Sequence, residues 1–115
     1  MTAMANDPLR DLMRSTLEFY ARFDWQPEVE GAVKVFQEEV GELIEAATDG
    51  TNHDHIAEEA ADVLVTVIGV CAAAGVTPDQ LIRQLYRVVD KNNAKTHDTH
   101  IYVDGKIRRR HPKPN

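Results

Sequence analysis

Cysteine is nearly absent from this sequence, and so are hydrophobic runs long enough to cross a membrane. The single cysteine, Cys71, excludes a disulfide within the chain, and its apolar neighbours favour a buried thiol. The longest apolar stretch, residues 63–76, is interrupted by Thr66 and falls short of the roughly 20 residues that a transmembrane helix needs. No basic segment followed by an apolar one opens the chain, so a secretory signal is not expected. We therefore expect a cytoplasmic protein with no membrane partner.

Basic residues are scarce in the centre of the chain, and acidic residues are scarce near its end. Residues 28–62 contain eleven acids and one base, Lys34, whereas residues 91–115 contain seven Lys or Arg and two Asp. Separated charge usually means solvated surface, but it also suits a site where acids hold a metal ion and bases hold phosphates. The formal net charge is −6, so the three arginines at residues 108–110 do not indicate a nucleic-acid partner.

The spacing of apolar residues predicts an all-α fold. These residues recur at intervals of three and four, and Pro, Gly and capping residues separate the periodic segments. The predicted helices cover about residues 7–23, 28–48 and 54–74, and a fourth opens at Thr77-Pro78-Asp79 and ends near Asn93. The third helix is apolar on nearly every side. A chain of this size does not have enough other residues to cover so large an apolar surface alone. We therefore expect a four-helix bundle completed by oligomerisation.

Local signals place the ends of these helices. Asp7 is a candidate cap for the first helix, with Pro8 at its first position. Gly50 is expected to end the second helix in the left-handed conformation, and Gly75 to stop the third. The connection between the second and third helices is therefore expected to be short.

Beyond the fourth helix the pattern changes, and residues 100–108 predict a short β-hairpin. Its turn would be Asp104-Gly105, a pair that favours the positive backbone angles of a two-residue loop. We accordingly divide the chain into a helical domain over residues 1–95 and a basic C-terminal tail over residues 96–115. The last residues, 111–115, are expected to be frayed.

Acidic residues occur in pairs on the second and third predicted helices. Glu39 and Glu42 lie one turn apart on the second helix, and Glu59 and Asp62 lie one turn apart on the third. Because a short connection makes the helices antiparallel neighbours, the four carboxylates can meet. Asp62 is expected to be buried, where a lone charge is costly unless a divalent cation such as Mg²⁺ shares it. The alternative is that these acids are ordinary residues on solvated helix faces.

The two acidic pairs also resemble a known signature. Glu39-Val-Gly-Glu42 and Glu59-Ala-Ala-Asp62, with sixteen residues between them, look like the Glu-x-x-Glu and Glu-x-x-Asp elements of the MazG-like all-α nucleoside triphosphate pyrophosphohydrolases. That superfamily includes dimeric dUTPases and phosphoribosyl-ATP pyrophosphohydrolases. The surrounding residues 38–46 and 62–64 look like the family as well, and the resemblance covers roughly residues 10–95.

The resemblance implies a metal-dependent hydrolase. It implies that Mg²⁺, for which Mn²⁺ can substitute, bridges a nucleoside triphosphate and is held by Glu39, Glu42, Glu59 and Asp62. Glu38 would bind a further metal ion or accept a proton from the attacking water, which makes Glu38 and Glu39 the catalytic candidates. The products would be a nucleoside monophosphate and pyrophosphate, and the enzyme a homodimer or homotetramer.

The substrate and the activity itself have alternatives. Non-canonical or deoxynucleoside triphosphates are the first candidates, and phosphoribosyl-ATP is the second. The chain could instead be a non-catalytic helical dimerisation module that keeps its acidic cluster for stability supplied by a bound metal.

Four further residues are candidates for contact with the substrate. Lys34 could hold a phosphate or simply pair with Glu38 one turn away. Trp25 could stack on a base, or pack in the core or in a dimer contact. Asn93 and Lys95 resemble an Asn-x-Lys element found in some family members after the last core helix, where they would touch the sugar or the phosphates. A plain helix cap is the alternative for these two residues.

Overall fold

The computed structural model of the protein describes residues 7–111. In that range the elements follow in the order α1 (Pro8–Arg22), α2 (Val29–Asp49), α3 (His53–Ala73), α4 (Pro78–Asn93), β1 (His100–Val103) and β2 (Lys106–Arg109). The predicted all-α fold with a C-terminal hairpin is confirmed. The first three helices begin and end within one residue of their predicted bounds. Residues 112–115 of the tail predicted to fray lie outside the described range.

Helix α1 begins where the sequence predicts it. The Asp7 side chain accepts a hydrogen bond from the Arg10 amide at 3.0 Å, and Pro8 occupies the first turn. This cap satisfies one of the amides that an α-helix leaves without an internal partner. The chain leaves α1 through Asp24, which adopts a left-handed φ of 53°.

A three-residue connection joins α2 to α3. Gly50 adopts a φ of 71° and ends α2, as predicted. Asn52 caps α3, because its side chain accepts a hydrogen bond from the His55 amide at 3.0 Å. This capping role of Asn52 was not predicted from the sequence. With so short a reversal, α2 and α3 lie side by side and antiparallel.

Helix α3 is the most buried of the described helices, but it is not buried on every side. Glu59, Thr66, Ile68 and Gly69 are buried, whereas Leu64 is 55 % exposed. Helix α1 packs across α3 at Gly69, which the Tyr20 ring approaches closely. The chain described here therefore leaves part of the apolar surface of α3 open to solvent.

The chain divides into two compact units, with the break after Pro78. The first unit contains α1, α2 and α3. The second contains α4 and the hairpin, in which His100 pairs with Arg109 and Val103 with Lys106. Its loop is the predicted Asp104-Gly105 turn, with φ values of 52° and 76°. Among the described residues, none of the helices combines the length and the apolar character that crossing a bilayer requires.

Candidate functional site

Three carboxylates meet between α2 and α3. One oxygen from each of Glu39, Glu42 and Glu59 lies within 4.8 Å of the other two. Glu39 and Glu42 are one turn apart on α2, and Glu59 faces them from the antiparallel α3. The structure thus brings together three of the four acids that the sequence singled out.

This carboxylate cluster is partly removed from water. Glu59 is only 9 % exposed and Glu39 is partly buried. The Oε2 atoms of both residues are buried and have no hydrogen-bond partner within residues 7–111. Burial, followed by the nearby Glu42 carboxylate, raises the pKa of Glu39 and of Glu59 above the ordinary value for a glutamate. Three acids held this way repel one another, so the arrangement is unfavourable without a compensating positive charge.

The residues of the cluster fit a divalent cation. Buried polar atoms in folded proteins nearly always have a partner, so two orphaned carboxylate oxygens in one cluster need an explanation. Carboxylate oxygens are the ligands that Mg²⁺ and Mn²⁺ prefer, and Mg²⁺ usually retains several waters beside one or two carboxylates. The donor set and the orphaned oxygens of Glu39 and Glu59 are both consistent with such an ion.

Asp62 lies at the edge of this cluster. The expectation that Asp62 is buried is wrong, because the structure leaves it exposed and buries Glu59 instead. The reason is geometric: three residues along a helix turn a side chain by about 300°, so Asp62 lies some 60° around α3 from Glu59. Its negative charge still contributes to the raised pKa of both Glu39 and Glu59. The assignment of Asp62 as a metal ligand stays a prediction.

Glu38 and Lys34 are exposed on α2. Glu38 lies about 100° around the helix from Glu39 and does not join the group of three oxygens. Within the described range no ion pair links Lys34 to Glu38, so the structure does not contain the pairing that was the alternative for Lys34. Both side chains are exposed and take part in no ion pair among residues 7–111.

An open cleft adjoins the carboxylate cluster at the junction of α2 and α3. Its volume is about 620 Å³, and it is lined by Glu42, Glu45, Ala46, Thr48, Asp49, His55 and Glu59. Sequence reasoning missed His55, although its spacing of four residues before Glu59 places both on one face of α3. The cleft brings an imidazole next to the acidic cluster.

A second cavity lies at the other end of the α2–α3 pair. Trp25 stacks on Tyr20 with ring centroids 4.3 Å apart and an interplanar angle of 27°. The Trp25 amide also donates to the Tyr20 carbonyl at 3.2 Å, which fixes the Trp25 backbone close to the end of α1. The cavity measures about 190 Å³ and is lined by Tyr20, Trp25, Gln26, Glu28, Gly31, Ala32, Val35, Thr66 and Gly69. We call it the aromatic pocket.

The aromatic pocket and the carboxylate cluster lie along the same pair of helices. Ala32 precedes Glu39 by seven residues on α2, and Gly69 follows Asp62 by seven on α3, which places the two features about 10 Å apart along the helix axes. Tyr20 and Gly69 were missed from the sequence. An isolated glycine inside an apolar helix is a signal of close backbone approach, and it could have pointed to Gly69.

Asn93 and Lys95 belong to the second unit. Asn93 is the last residue of α4, and the Lys95 ammonium donates to the Asn92 side chain at 2.9 Å. Burial, then the positive charges of Lys95 and Arg109, lower the pKa of His100. The roles of Asn93 and Lys95 in substrate binding stay predictions.

Comparison with known proteins adds one match. The family model described as Phosphoribosyl-ATP pyrophosphohydrolase matches residues 11–88, well over half of the chain. Neither the curated proteins nor the solved structures give a match. The matched range contains all of α2 and α3, and with them the carboxylate cluster and the aromatic pocket.

Proposed function

Because the chain belongs to the phosphoribosyl-ATP pyrophosphohydrolase family and is therefore a nucleotide pyrophosphohydrolase, we propose that it hydrolyses nucleoside triphosphates to monophosphate and pyrophosphate with the help of Mg²⁺. The observation that carries this proposal is the pair of buried, unpartnered oxygens of Glu39 and Glu59 beside Glu42. Such a cluster is unfavourable alone and suits a cation that also binds phosphates.

The metal ligands proposed are Glu39, Glu42 and Glu59, with Asp62 at the edge of the cluster. Mn²⁺ is expected to replace Mg²⁺, because both favour oxygen ligands. A bound divalent cation supplies charge neutralisation for the phosphates and a lower pKa for a coordinated water. The contribution of the chain is to hold the carboxylates in place at the junction of two helices.

The proposed reaction is attack of a water oxygen on the α-phosphorus. The bond between that phosphorus and the oxygen bridging to the β-phosphate breaks, and pyrophosphate leaves with the electron pair. One proton of the attacking water passes to a carboxylate, for which Glu38 is the candidate. Glu38 is exposed next to Glu39 and does not take part in the cluster, so it is available to accept a proton.

We assign the base of the substrate to the aromatic pocket. The stacked Trp25 and Tyr20 rings offer a planar apolar surface of the kind on which nucleobases stack. The pocket lies about 10 Å from the cluster along α2, and the exposed Lys34 lies between them in sequence. Lys34, Asn93 and Lys95 are the proposed contacts to the phosphates or the sugar.

Phosphoribosyl-ATP is the second candidate substrate, and the description of the matched family favours it. The volume of the aromatic pocket favours a simpler nucleotide. At about 190 Å³ it lies below the roughly 300–1,000 Å³ of sites that enclose drug-sized ligands. A single base suits that space better than a base that carries a further phosphoribosyl group. We therefore place nucleoside triphosphates, non-canonical or deoxy forms among them, first.

The test is an assay of the purified protein against canonical and modified nucleoside triphosphates and phosphoribosyl-ATP. We expect monophosphate and pyrophosphate in the presence of Mg²⁺ or Mn²⁺, and none after addition of EDTA. Glu39→Gln and Asp62→Asn should lower turnover by at least about 100-fold, since even changes next to metal ligands cost 10- to 100-fold. Glu30→Gln, an exposed change on the same helix as Glu39, serves as the control. Lack of turnover on every substrate by a folded, metal-bound protein would favour the non-catalytic module.

We also infer that the chain works as a homodimer or homotetramer. The support is the small number of buried hydrophobic residues in the described chain, which are Met13, Ala46 and Ile68. Apolar side chains on α2 and α3 stay exposed at the same time, Ile44 by 60 % and Leu64 by 55 %. Exposed apolar surface of this kind marks an interface in soluble proteins.

A further inference from the structure

His55 has a different partner on each side of its ring. Its Nδ1 lies 3.4 Å from Glu58 Oε1, and its Nε2 lies 3.9 Å from Glu59 Oε1. All three residues lie in the first two turns of α3, and suitable ligand atoms from the three fall within 4.8 Å of one another. The imidazole therefore stands between an exposed carboxylate and a buried one.

The contact with Glu58 prepares the other nitrogen for a ligand. In the tautomer that carries its proton on Nδ1, His55 donates to Glu58, and its Nε2, 3.9 Å from Glu59 Oε1, keeps a free lone pair. Metal-binding histidines are commonly held in this way, with one ring nitrogen donating to a carboxylate and the other bound to the ion. The geometry orients Nε2 toward a position next to the buried acid.

The separation of 3.9 Å between His55 Nε2 and Glu59 Oε1 is too long for a hydrogen bond. Two ligands that each bind the same ion at about 2.0–2.2 Å are separated by up to about 4 Å. The spacing is that of a long ion pair, not of a hydrogen bond, and it also suits two ligands that share a cation. Glu42, Glu45 and Asp49 line the same cleft and can supply further oxygen atoms.

Glu59 belongs to both groups of ligand atoms. One of its oxygens faces His55, while Oε2 is buried without a partner in the described chain and the residue is 9 % exposed. Ion pairs along the helix from His55 to Glu58 and to Glu59 account for the contacts at 3.4 and 3.9 Å, but they leave the buried Oε2 of Glu59 without a partner among the described residues. A Glu59 carboxylate shared by two cations accounts for that oxygen as well as for the position of the His55 ring.

We propose that His55 and Glu59 form a second cation site, selective for a first-row transition metal ion, beside the carboxylate cluster. Imidazole nitrogen is a ligand that Zn²⁺, Ni²⁺ and Fe²⁺ favour, whereas Mg²⁺ prefers oxygen alone. Glu58 is a positioning residue that acts through the ring of His55. The inference depends on the proposed function for one ligand, Glu59, and adds a different ion and a nitrogen ligand to that site.

The experiment is a Zn²⁺ titration of the full chain already saturated with Mg²⁺, followed by calorimetry and by NMR of ¹⁵N-labelled histidines. We expect one tight Zn²⁺ per chain and a metal-induced shift of His55 Nε2, with Nδ1 still protonated. His55→Ala should weaken Zn²⁺ binding by at least about 100-fold, and Glu58→Gln should weaken it by about 10- to 100-fold. His53→Ala is the matched control, since His53 is exposed two residues away and outside both groups of ligand atoms.

Unchanged Zn²⁺ affinity in a folded His55→Ala variant would overturn the proposal. Equal Zn²⁺ shifts at His53 and His55 would also overturn it, because they would indicate surface binding only. Glu39→Gln separates this inference from the proposed function: it should abolish Mg²⁺ binding and turnover but retain the Zn²⁺ shift at His55. If no nucleotide is hydrolysed while the Zn²⁺ shift is present, the proposed function fails and the second site stands.

Discussion

Glu59 is held in a position that disfavours its charge. Burial and the neighbouring Glu42 carboxylate both raise its pKa, and a histidine four residues earlier only partly opposes them. The folded, metal-free chain therefore retains a proton on this residue at pH values where the unfolded chain has released it. A carboxylate in this state is a strong potential metal ligand. A cation that replaces the proton offsets both the cost of burying the negative charge and the repulsion from Glu42.

This linkage predicts how stability depends on pH without metal. The pKa of Glu59 in the folded state exceeds the ordinary value of 4.5. Above pH 4.5 the native state therefore binds more protons than the unfolded state. The free energy of unfolding consequently falls as the pH rises. Glu59→Gln removes the titrating group. In EDTA the variant should melt at a higher temperature than the parent at about pH 7, and the difference should shrink toward about pH 4.

Thermal unfolding followed by circular dichroism across this range measures the difference between the two melting curves. Glu30→Gln is the control, since Glu30 is exposed in the first turn of α2 and away from the cluster. Added Mg²⁺ should reverse the order of the two melting temperatures at neutral pH, so that the parent melts above Glu59→Gln. Only the parent has the full set of carboxylate ligands for the ion. A constant difference between Glu59→Gln and the parent at every pH would contradict the argument.

Glu38 and Glu39 are neighbours in sequence, but the structure places them in different environments. Glu39 is partly buried in the cluster, whereas Glu38 is exposed and outside it. We predict that Glu38→Gln lowers kcat by about 10²- to 10⁴-fold, the usual contribution of a general base, and leaves Mg²⁺ affinity unchanged. Glu39→Gln should lose both turnover and Mg²⁺ binding. Calorimetric Mg²⁺ titration beside steady-state kinetics makes the comparison, and loss of Mg²⁺ binding in Glu38→Gln would instead make Glu38 a ligand.

At the level of elements, the aromatic pocket depends on how closely α1 approaches α3. A Cβ atom at Gly69 would lie 2.9 Å from the Tyr20 hydroxyl, a distance that side chains do not tolerate. Gly69→Ala should therefore push the Tyr20 ring away and disturb its stacking on Trp25. We predict a shift in fluorescence of Trp25, the only tryptophan, and a KM raised about tenfold, in line with the value of base stacking.

Gly41→Ala provides the matched control for this change. Gly41 also lies within a long helix, and apart from its chain neighbours and the backbone of its own helix no heavy atom of the described residues would lie within 4 Å of its added Cβ. The variant should gain up to about 1 kcal/mol in free energy of unfolding, because alanine favours the helix more than glycine. Its Trp25 fluorescence should match that of the parent. If Gly69→Ala also leaves the fluorescence and KM unchanged, the aromatic pocket does not bind the base as proposed.

The helix ends could be predicted because they depend on local chemistry. Asp7 and Gly50 each act on amides or carbonyls within four residues, so the sequence alone indicates their effect. The meeting of α2 and α3 followed from their short connection. The exposure of Asp62 and the contact of Tyr20 with Gly69 depend on how each helix is rotated about its axis. Packing between residues far apart in sequence determines that rotation, so periodicity alone does not indicate it.

The whole molecule has little interior for its number of apolar residues. Hydrophobic residues make up 43 % of the chain, yet three are buried in the described part of a single copy. Large side chains such as Phe23 and Leu64 are exposed by 71 % and 55 %. A small domain buries a smaller fraction of its surface than a large one, and association is a common remedy. The stability of such a chain then depends on its concentration.

We predict that light scattering at micromolar concentration finds a dimer or tetramer, and that Leu64→Lys shifts it toward monomer. A lysine there would place a charge within the apolar surface of α3, so association should weaken and the melting temperature of the assembly should fall. Ser15→Lys introduces the same charge at an exposed polar position of α1. It should leave the oligomeric state and the melting temperature unchanged. A parent protein that is strictly monomeric, fully helical and active would show that the exposed apolar surface of α3 has no role in assembly.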